Sequence, residues 1–418
     1  MDSKTKTRRF LHGMLKSYYT KTDLELPPRF TLREFAFIYR GSRGMHRPVA
    51  FVTGQEFKEF MAAKLPIHTY YSTAYYSNPR APMKNKEWLG ADLIFDLDSD
   101  HLPGGENMSY PRQLELVKKK TRLLLEDFLM DDFGFQEKHI KLVFSGNRGY
   151  HIHVRKKEVF SLPRSARREI VDYITGTGIS LSSIFPYDMV EVSKFKEFSK
   201  TEYSYKFPPR KKGGWGRRAI DLIKYALERW SHMSKEEFVE EVAYDSSKKT
   251  GIKGIGEKTA VGLYNELYGQ GKWRDIIKKE TLDDLSESGM VNQKYFLKIF
   301  EQVIRDHGIN QLSLKFVGAT DEPVTGDTKR LIRLPTSIHG GSFLVVKPID
   351  IAKFDDFEPL KDAFIEISGD KNYDIRLEDL PNEEYVVLKG KTYEFEKNMN
   401  VPECLVPFFV TKYQAKVL

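Results

Sequence analysis

The chain has 418 residues, 40% of them hydrophobic, which is enough for a sizeable core and too long for one ordinary single-core domain. Lys and Arg outnumber Asp and Glu by 67 to 59, and the resulting +8 suits polyanionic partners without demanding one. Cys404 is the only cysteine, which excludes an intramolecular disulfide and a cysteine-based zinc cluster; no apolar run has signal-peptide or membrane-spanning character, so a soluble intracellular protein without a membrane partner is expected.

Taken in chain order, Phe10, Leu11, Met14, Leu15 and Tyr18 fall at helical spacing and predict a helix over residues 8–24, stopped by Pro27 and Pro28. Short strands are predicted at Phe35–Tyr39 and Pro48–Val52. Another covers residues 92–98, where acidic and apolar positions alternate. A helix rich in Leu and Lys follows over residues 112–130. Lys141–Phe144 and Tyr150–Arg155 read as two strands joined by the turn Ser-Gly-Asn-Arg-Gly. Near Lys211-Lys212-Gly213-Gly214 the character changes, and from Arg217 to about His307 the chain is helical, with Ser234 and Glu237 forming a capping box. Strand-like runs return at Ser313–Val317. The expected fold is mixed α/β (α+β), with mixed sheets flanked by helices. A discontinuous domain of residues 1–214 and 309–418 is interrupted by a helical insertion at residues 215–308.

Three segments carry chemistry. Asp96 and Asp98 lie two apart on a strand, so both carboxylates share a face, and paired carboxylates suit Mg²⁺ or Mn²⁺. An isolated Asp-x-Asp is more often a strand edge facing water. Asp92 falls on the same alternating face and is open either to a third ligand role or to solvation, and Asp100 adds charge nearby. In the second segment, Gly146 and Gly149 allow a tight turn, while Ser145, Arg148 and His151 offer a hydroxyl, a guanidinium and a ring donor to a triphosphate. The bland alternative is a hairpin with a surface arginine. His151 and His153 share a face, but no third ligand for zinc accompanies them. In the third segment Asp327 precedes a basic strand in which Arg333 and His339 can reach phosphates; Asp327 capping a turn explains that aspartate equally well.

In this order and spacing the three segments resemble the catalytic small subunit of archaeo-eukaryotic DNA primases, archaeal type. Leu89–Asp98 looks like the family's first motif, Ser145–His151 is similar to its nucleotide cradle, and Asp327–His339 resembles its third motif. Arg33-Glu34-Phe35 and Arg47 match an upstream segment near the nucleotide site. The resemblance covers most of residues 17–210 and 315–418. It implies template-directed nucleotidyl transfer making short RNA or DNA primers for replication. Two Mg²⁺ or Mn²⁺ would be held by Asp96, Asp98 and Asp327, and NTP or dNTP by Ser145, Gly146, Arg148, His151, Arg333 and His339. A single-stranded DNA template and a large primase subunit, in an archaeal cytoplasm, are the implied partners and setting. Two departures stand out. The stretch His101–Lys118 lacks the cysteines of the family's zinc knob, so no structural zinc is expected. Gly341 stands where relatives carry a lysine, so the terminal phosphate falls to Arg333 and Arg148 or to a lysine from elsewhere.

Inside the helical insertion, Gly251–Ala260 resembles the hairpin of a helix-hairpin-helix element, with Lys253 and Lys258 as candidate DNA contacts; a glycine-punctuated helix start fits it about as well. The alternatives to a primase are a primase-like repair polymerase and an inactive DNA-binding or scaffolding relative. Primer formation without a supplied primer separates the three.

Overall fold

The computed structural model describes residues 2–99, 108–177, 184, 187–195, 198–205, 214–248, 250–279, 290–303, 327–367 and 371–418. Asp100, the Lys211–Gly213 boundary and the expected strand at Ser313–Val317 lie outside the described residues, as does part of the His101–Lys118 stretch. In chain order come α1 (Ser3–Lys21), β1 (Phe35–Ile38), β2 (His46–Val49), α2 (Gly54–Lys64), β3 (His68–Ser72), β4 (Ala74–Tyr76), β5 (Trp88–Ala91) and β6 (Leu93–Asp98). Then follow α3 (Tyr110–Leu123), β7 (Ile140–Phe144), β8 (Gly149–Val154), α4 (Lys157–Phe160), α5 (Arg164–Thr175), β9 (Tyr187–Phe195) and β10 (Phe198–Tyr205). Helices α6 (Gly214–Ser231), α7 (Lys235–Val242), α8 (Glu257–Tyr264), α9 (Lys272–Lys279) and α10 (Met290–Val303) come next. The chain closes with β11 (Leu331–Arg333), β12 (Pro348–Ile349), α11 (Pro359–Asp362), β13 (Asn372–Arg376), β14 (Tyr385–Leu388), β15 (Lys391–Glu394), β16 (Asn398–Pro402), α12 (Val406–Lys412) and β17 (Lys416–Val417). The class is mixed α and β, and every pairing between these strands is antiparallel.

The residues fall into two compact units, one of residues 1–122, 135–171 and 317–418, the other of residues 123–134 and 172–316. The first unit holds two four-stranded sheets, ordered β11-β3-β1-β2 and β12-β7-β8-β6. Helix α1 begins earlier than its apolar period announces. Asp2 caps it by accepting from the Thr5 amide at 2.7 Å, and the charged first turns carry no apolar signal. Its buried Leu11, Met14, Leu15 and Tyr19 pack with Phe35 and Phe37 of β1, Phe57 and Met61 of α2, and Ile332 of β11. The helix ends at Lys21 because Thr22 turns extended, well before Pro27. The helix predicted over residues 112–130 starts at Tyr110 and runs as α3 into a π-helical stretch, Leu124–Asp132. Strand β13 is central in a third sheet, between β16 and β17.

The second unit contains the β9–β10 hairpin, which the sequence pattern does not announce, and helices α6 to α10. Asp132 is buried there and accepts from Tyr173 Oη at 2.9 Å and Arg218 at 2.7 Å. The Ser234 capping box forms in full: its Oγ accepts from the Glu237 amide at 3.2 Å, and Glu237 accepts from the Ser234 amide at 2.7 Å. Between α7 and α8, Ile252 and Ile255 plug into the interior while Lys253 and Lys258 are exposed. Gly251 has φ +77° and lies so close to the Ala243 carbonyl that a Cβ would sit 1.9 Å from its oxygen. No helix among the described residues is long and apolar enough to cross a membrane.

Candidate active site

Strand β6 positions the paired carboxylates. Leu93, Ile94, Phe95 and Leu97 are buried, and Asp96 and Asp98 alone on this strand are half-buried, on one face of its pleat. Its neighbour β8 runs antiparallel, with Asp96 opposite His151 and Asp98 opposite Gly149. A Cβ on Gly149 would fall 2.0 Å from the Leu97 carbonyl oxygen, so only glycine lets the strands close at this point.

Two guanidinium groups and a histidine ring stand around the pair. Arg148 Nε stands 3.7 Å from Asp98 Oδ1, Arg330 donates to Asp96 Oδ2 at 3.3 Å, and His151 Nε2 lies 3.5 Å from Asp96 Oδ1. His151 is buried, and desolvation pushes its pKa down to about 4 against the opposing pull of Asp96. It is therefore a neutral ring near pH 7. His153 shares that face, its ring 6.2 Å from the His151 ring, but it is engaged elsewhere: its Nδ1 meets Tyr71 Oη at 3.3 Å, with those two rings stacked at 6.3 Å.

Asp92 does not belong to this group. It is 5% exposed, Arg33 donates to its Oδ2 at 2.7 Å, Tyr75 Oη donates to Oδ1 at 2.8 Å, and Arg155 stands at 3.4 Å. The alternation of residues 92–98 places it on the face of Asp96 and Asp98, but β6 starts at Leu93 and Asp92 is consumed as an internal counter-ion. Arg33 is fully buried and also donates to the carbonyls of Pro28, Ser72 and Thr73, so it acts inside the fold. Glu34 is likewise internal, paired to Arg47 at 2.7 Å and to buried Lys86 at 3.1 Å.

The glycine-framed turn forms between β7 and β8. Ser145 is buried, and its Oγ accepts from the Gly149 amide at 3.2 Å, closing the turn. Gly146 has φ +84°, and a Cβ there would sit 2.7 Å from His339 Cβ. Ser342 Oγ donates to the Gly146 carbonyl, which locks the second segment onto the third. His339 is buried, and its Nδ1 accepts from the Gly341 amide at 3.1 Å, leaving Nε2 as the hydrogen-bond donor of the neutral ring. Burial, then Arg333 and other cations, hold its pKa well below the ordinary histidine range.

Arg333 is on β11, opposite Tyr70 of β3, and its guanidinium lies over the Tyr70 ring at 4.9 Å. Arg333 also donates to His68 Nδ1 at 2.7 Å, and the Gly340 amide reaches the same nitrogen at 3.3 Å. His68, held down to about 4 by burial and by Arg333, thus fixes both the arginine and the His339 turn. Asp327 opens the turn before β11 and accepts from the Lys329 amide at 2.9 Å, with the Trp88 indole donating to the neighbouring Thr328 carbonyl at 3.3 Å. Among the described residues, no three His, Cys, Asp or Glu side chains are gathered closely enough to hold a metal ion. Asp96, Asp98, Arg148, His151, Arg333 and His339 therefore converge, and Asp327 stands on the adjoining turn. Lys253 and Lys258 are in the other unit. Sequence reasoning missed His68 and Arg330. A lone histidine in a strand gives no signal, and Arg330 precedes β11, so strand alternation did not place it on the same side as Arg333.

A carboxylate pair faced by three guanidinium groups beside a glycine turn defines an enzyme of the phosphoryl-transfer type, where positioned charge does most of the work. A family model described as DNA primase small subunit matches residues 95–351. The DNA primase small subunit PriS of Methanocella arvoryzae is 36% identical over 414 residues, 98% of each chain. That of Methanococcoides burtonii is 40% identical over 365 residues, 86% of each, and that of Methanothrix thermoacetophila is 36% identical over 426 residues, 100% of each. The chain belongs to the DNA primase small subunit family, which makes it a DNA-directed nucleotidyltransferase.

Proposed function

We propose that this chain is the catalytic subunit of an archaeal replicative primase, starting short primers on single-stranded DNA with divalent cations at Asp96, Asp98 and Asp327. The observation that carries the reading is the Asp96–Asp98 face of β6, half-open, with Arg330 at 3.3 Å and the neutral His151 ring at 3.5 Å from Asp96. Contacts this long leave the Asp96 oxygens open to exchange for a hard cation, and Mg²⁺ is commonly held by one or two carboxylates plus substrate phosphates. The donor chemistry therefore fits through the Asp96–Asp98 pair. Asp327 is included because of the motif, not because of its distance. When bound, Mg²⁺ or Mn²⁺ supplies a more acidic 3′-hydroxyl and neutralises charge on the pyrophosphate.

The chain's own groups do the rest. Arg148 and Arg333 offer planar guanidinium donors to the triphosphate oxygens, and His339 offers its Nε2–H. Tyr70 and His68 hold the Arg333 guanidinium in place before substrate arrives, so little ordering remains for the transition state. Neutral His151, behind Asp96, orients that carboxylate without cancelling its charge. The name small subunit, borne by the relatives, supports a large companion subunit for this chain too. Its NTP or dNTP preference is to be read from the assay below.

The test is primer synthesis on a single-stranded template with NTPs or dNTPs, Mg²⁺ or Mn²⁺, and no supplied primer. The wild type makes primers, and Asp98→Asn loses activity by about 10³-fold or more while keeping its melting temperature. Near-normal synthesis by Asp98→Asn overturns the site. Extension only from supplied ends would point instead to a repair polymerase, and no synthesis by the wild type to an inactive relative.

A further inference from the structure

Of the four tryptophans, Trp215 and Trp230 are buried and Trp273 is half-buried, whereas Trp88 is 38% exposed. It opens β5, whose other end is fixed. Gly90 takes φ +152° so close to the Phe160 ring that a Cβ would sit 2.2 Å from it, and Ala91 is buried. Trp88 and Leu89 are left in solvent at the free end, and Met83, on the turn that leads into the strand, is exposed as well. Single apolar residues at a surface need no explanation, but three large ones on one hairpin do. The indole has one polar atom, and its N–H is already given to the Thr328 carbonyl at 3.3 Å. That bond ties the ring to the residue next to Asp327 and leaves an aromatic face as all it can offer a ligand. Lys84 and Lys329 add exposed ammonium groups to the two turns that the ring joins.

Aromatic and basic groups interleaved in this way suit a single nucleic-acid strand, whose bases stack on a ring in any sequence while its phosphates meet the cations. Resting on the primase reading, we infer that Trp88 is a stacking platform for an unpaired base of the single-stranded DNA template. Under that reading the template must run within reach of the metal-binding carboxylates, and Trp88 is bonded to the neighbour of one of them. The hydrogen bond to Thr328 holds the ring in place before DNA arrives, so stacking orders little of the protein. One such stack is worth roughly 5- to 100-fold in affinity. It carries no charge, and its loss leaves the salt dependence of binding where it was.

The experiment measures dissociation constants of the full chain for fluorescein-labelled oligo(dT) by anisotropy across a salt series, without nucleotide, for wild type, Trp88→Ala and Trp88→Phe. A strand of the same length lacking bases serves as the control. Trp88→Ala should weaken oligo(dT) about 5- to 100-fold with an unchanged salt slope, and should leave the baseless strand within about twofold. Trp88→Phe keeps a ring but loses the N–H to Thr328, and should restore most of the affinity. In primer synthesis Trp88→Ala should raise the KM for template and not for nucleotide. Unchanged oligo(dT) binding in Trp88→Ala, or equal weakening of both strands, would overturn the inference. So would no restoration in Trp88→Phe, which would leave the indole as a tether for the Asp327 turn, or a rise confined to the nucleotide KM. The wild type's own primer synthesis decides the primase reading, so the failure of one is told apart from the failure of the other.

Discussion

The two ends of one strand carry aspartates in opposite circumstances. At the start of β6, Asp92 is buried and met at 2.7–2.8 Å by Arg33 and Tyr75, with Arg155 a little further off. At the other end Asp96 and Asp98 are half-open, and at Asp96 the Arg330 guanidinium and the neutral His151 ring stand 3.3 and 3.5 Å away. Full, short-range satisfaction marks a charge whose work is to hold the fold, because removing its partner would strand a buried ion. Longer contacts mark charges kept ready for something that arrives. The residue type is identical; the environment assigns the role.

The largest expected effect follows from breaking the buried end. Asp92→Ala should cost about 3–5 kcal/mol in urea unfolding, since it leaves the Arg33 guanidinium buried without its counter-ion. Asp98→Ala, at a partly solvated position, should cost less than about 1 kcal/mol. Equal costs would dissolve the distinction. Gly146→Ala is next, at about 1–3 kcal/mol, because φ +84° and the 2.7 Å approach to His339 Cβ both resist a methyl group. It should also raise the KM for nucleotide by prying the turn from His339.

A smaller effect is pH-dependent. The folded His151 stays neutral down to about 4, whereas the unfolded chain takes up a proton there near the ordinary histidine pKa. The unfolded state thus binds more protons between about pH 6.5 and 4, and stability falls as pH drops through that window. His151 accounts for up to about 1.4 kcal/mol per pH unit. The gap between urea midpoints at pH 7 and 5 should narrow in His151→Gln, with the other buried histidines keeping part of it, and an unaltered gap would contradict the assignment. The smallest effect is in the other unit. Lys253→Glu with Lys258→Glu should weaken single-stranded DNA binding a few-fold and lower its salt slope by roughly one to two, with no loss of stability because both side chains are exposed.

Much of the site was legible in the sequence because its parts are local. The Asp-x-Asp spacing, the glycine turn and the basic strand each fit within fifteen residues, and strand periodicity alone put Asp96 and Asp98 on one face. The Ser234–Glu237 box was legible for the same reason. What escaped was non-local. Asp92 is claimed by an arginine 59 positions away, Arg333 is steadied by a histidine 265 positions away, and Asn147 holds a lysine 265 positions away. No periodicity in a linear string marks such partners. The early start of α1 escaped for a different reason, since a polar cap leaves no apolar trace.

One feature of the interior bears on how the enzyme moves. Arg330 and Arg333 belong with the sheet containing β3, the carboxylates with the sheet containing β8, and the two sheets meet through buried polar contacts of Arg33 with Asp92 and of Tyr71 with His153. Hydrogen bonds of this sort have defined lengths, and unlike apolar surfaces they do not slide over one another. The gap between Arg330 and Arg333 on one side and Asp96 and Asp98 on the other is consequently gauged like the jaws of a fixed spanner. Closing that gap would have to break one of these contacts, so adjustment here is expected from individual side chains.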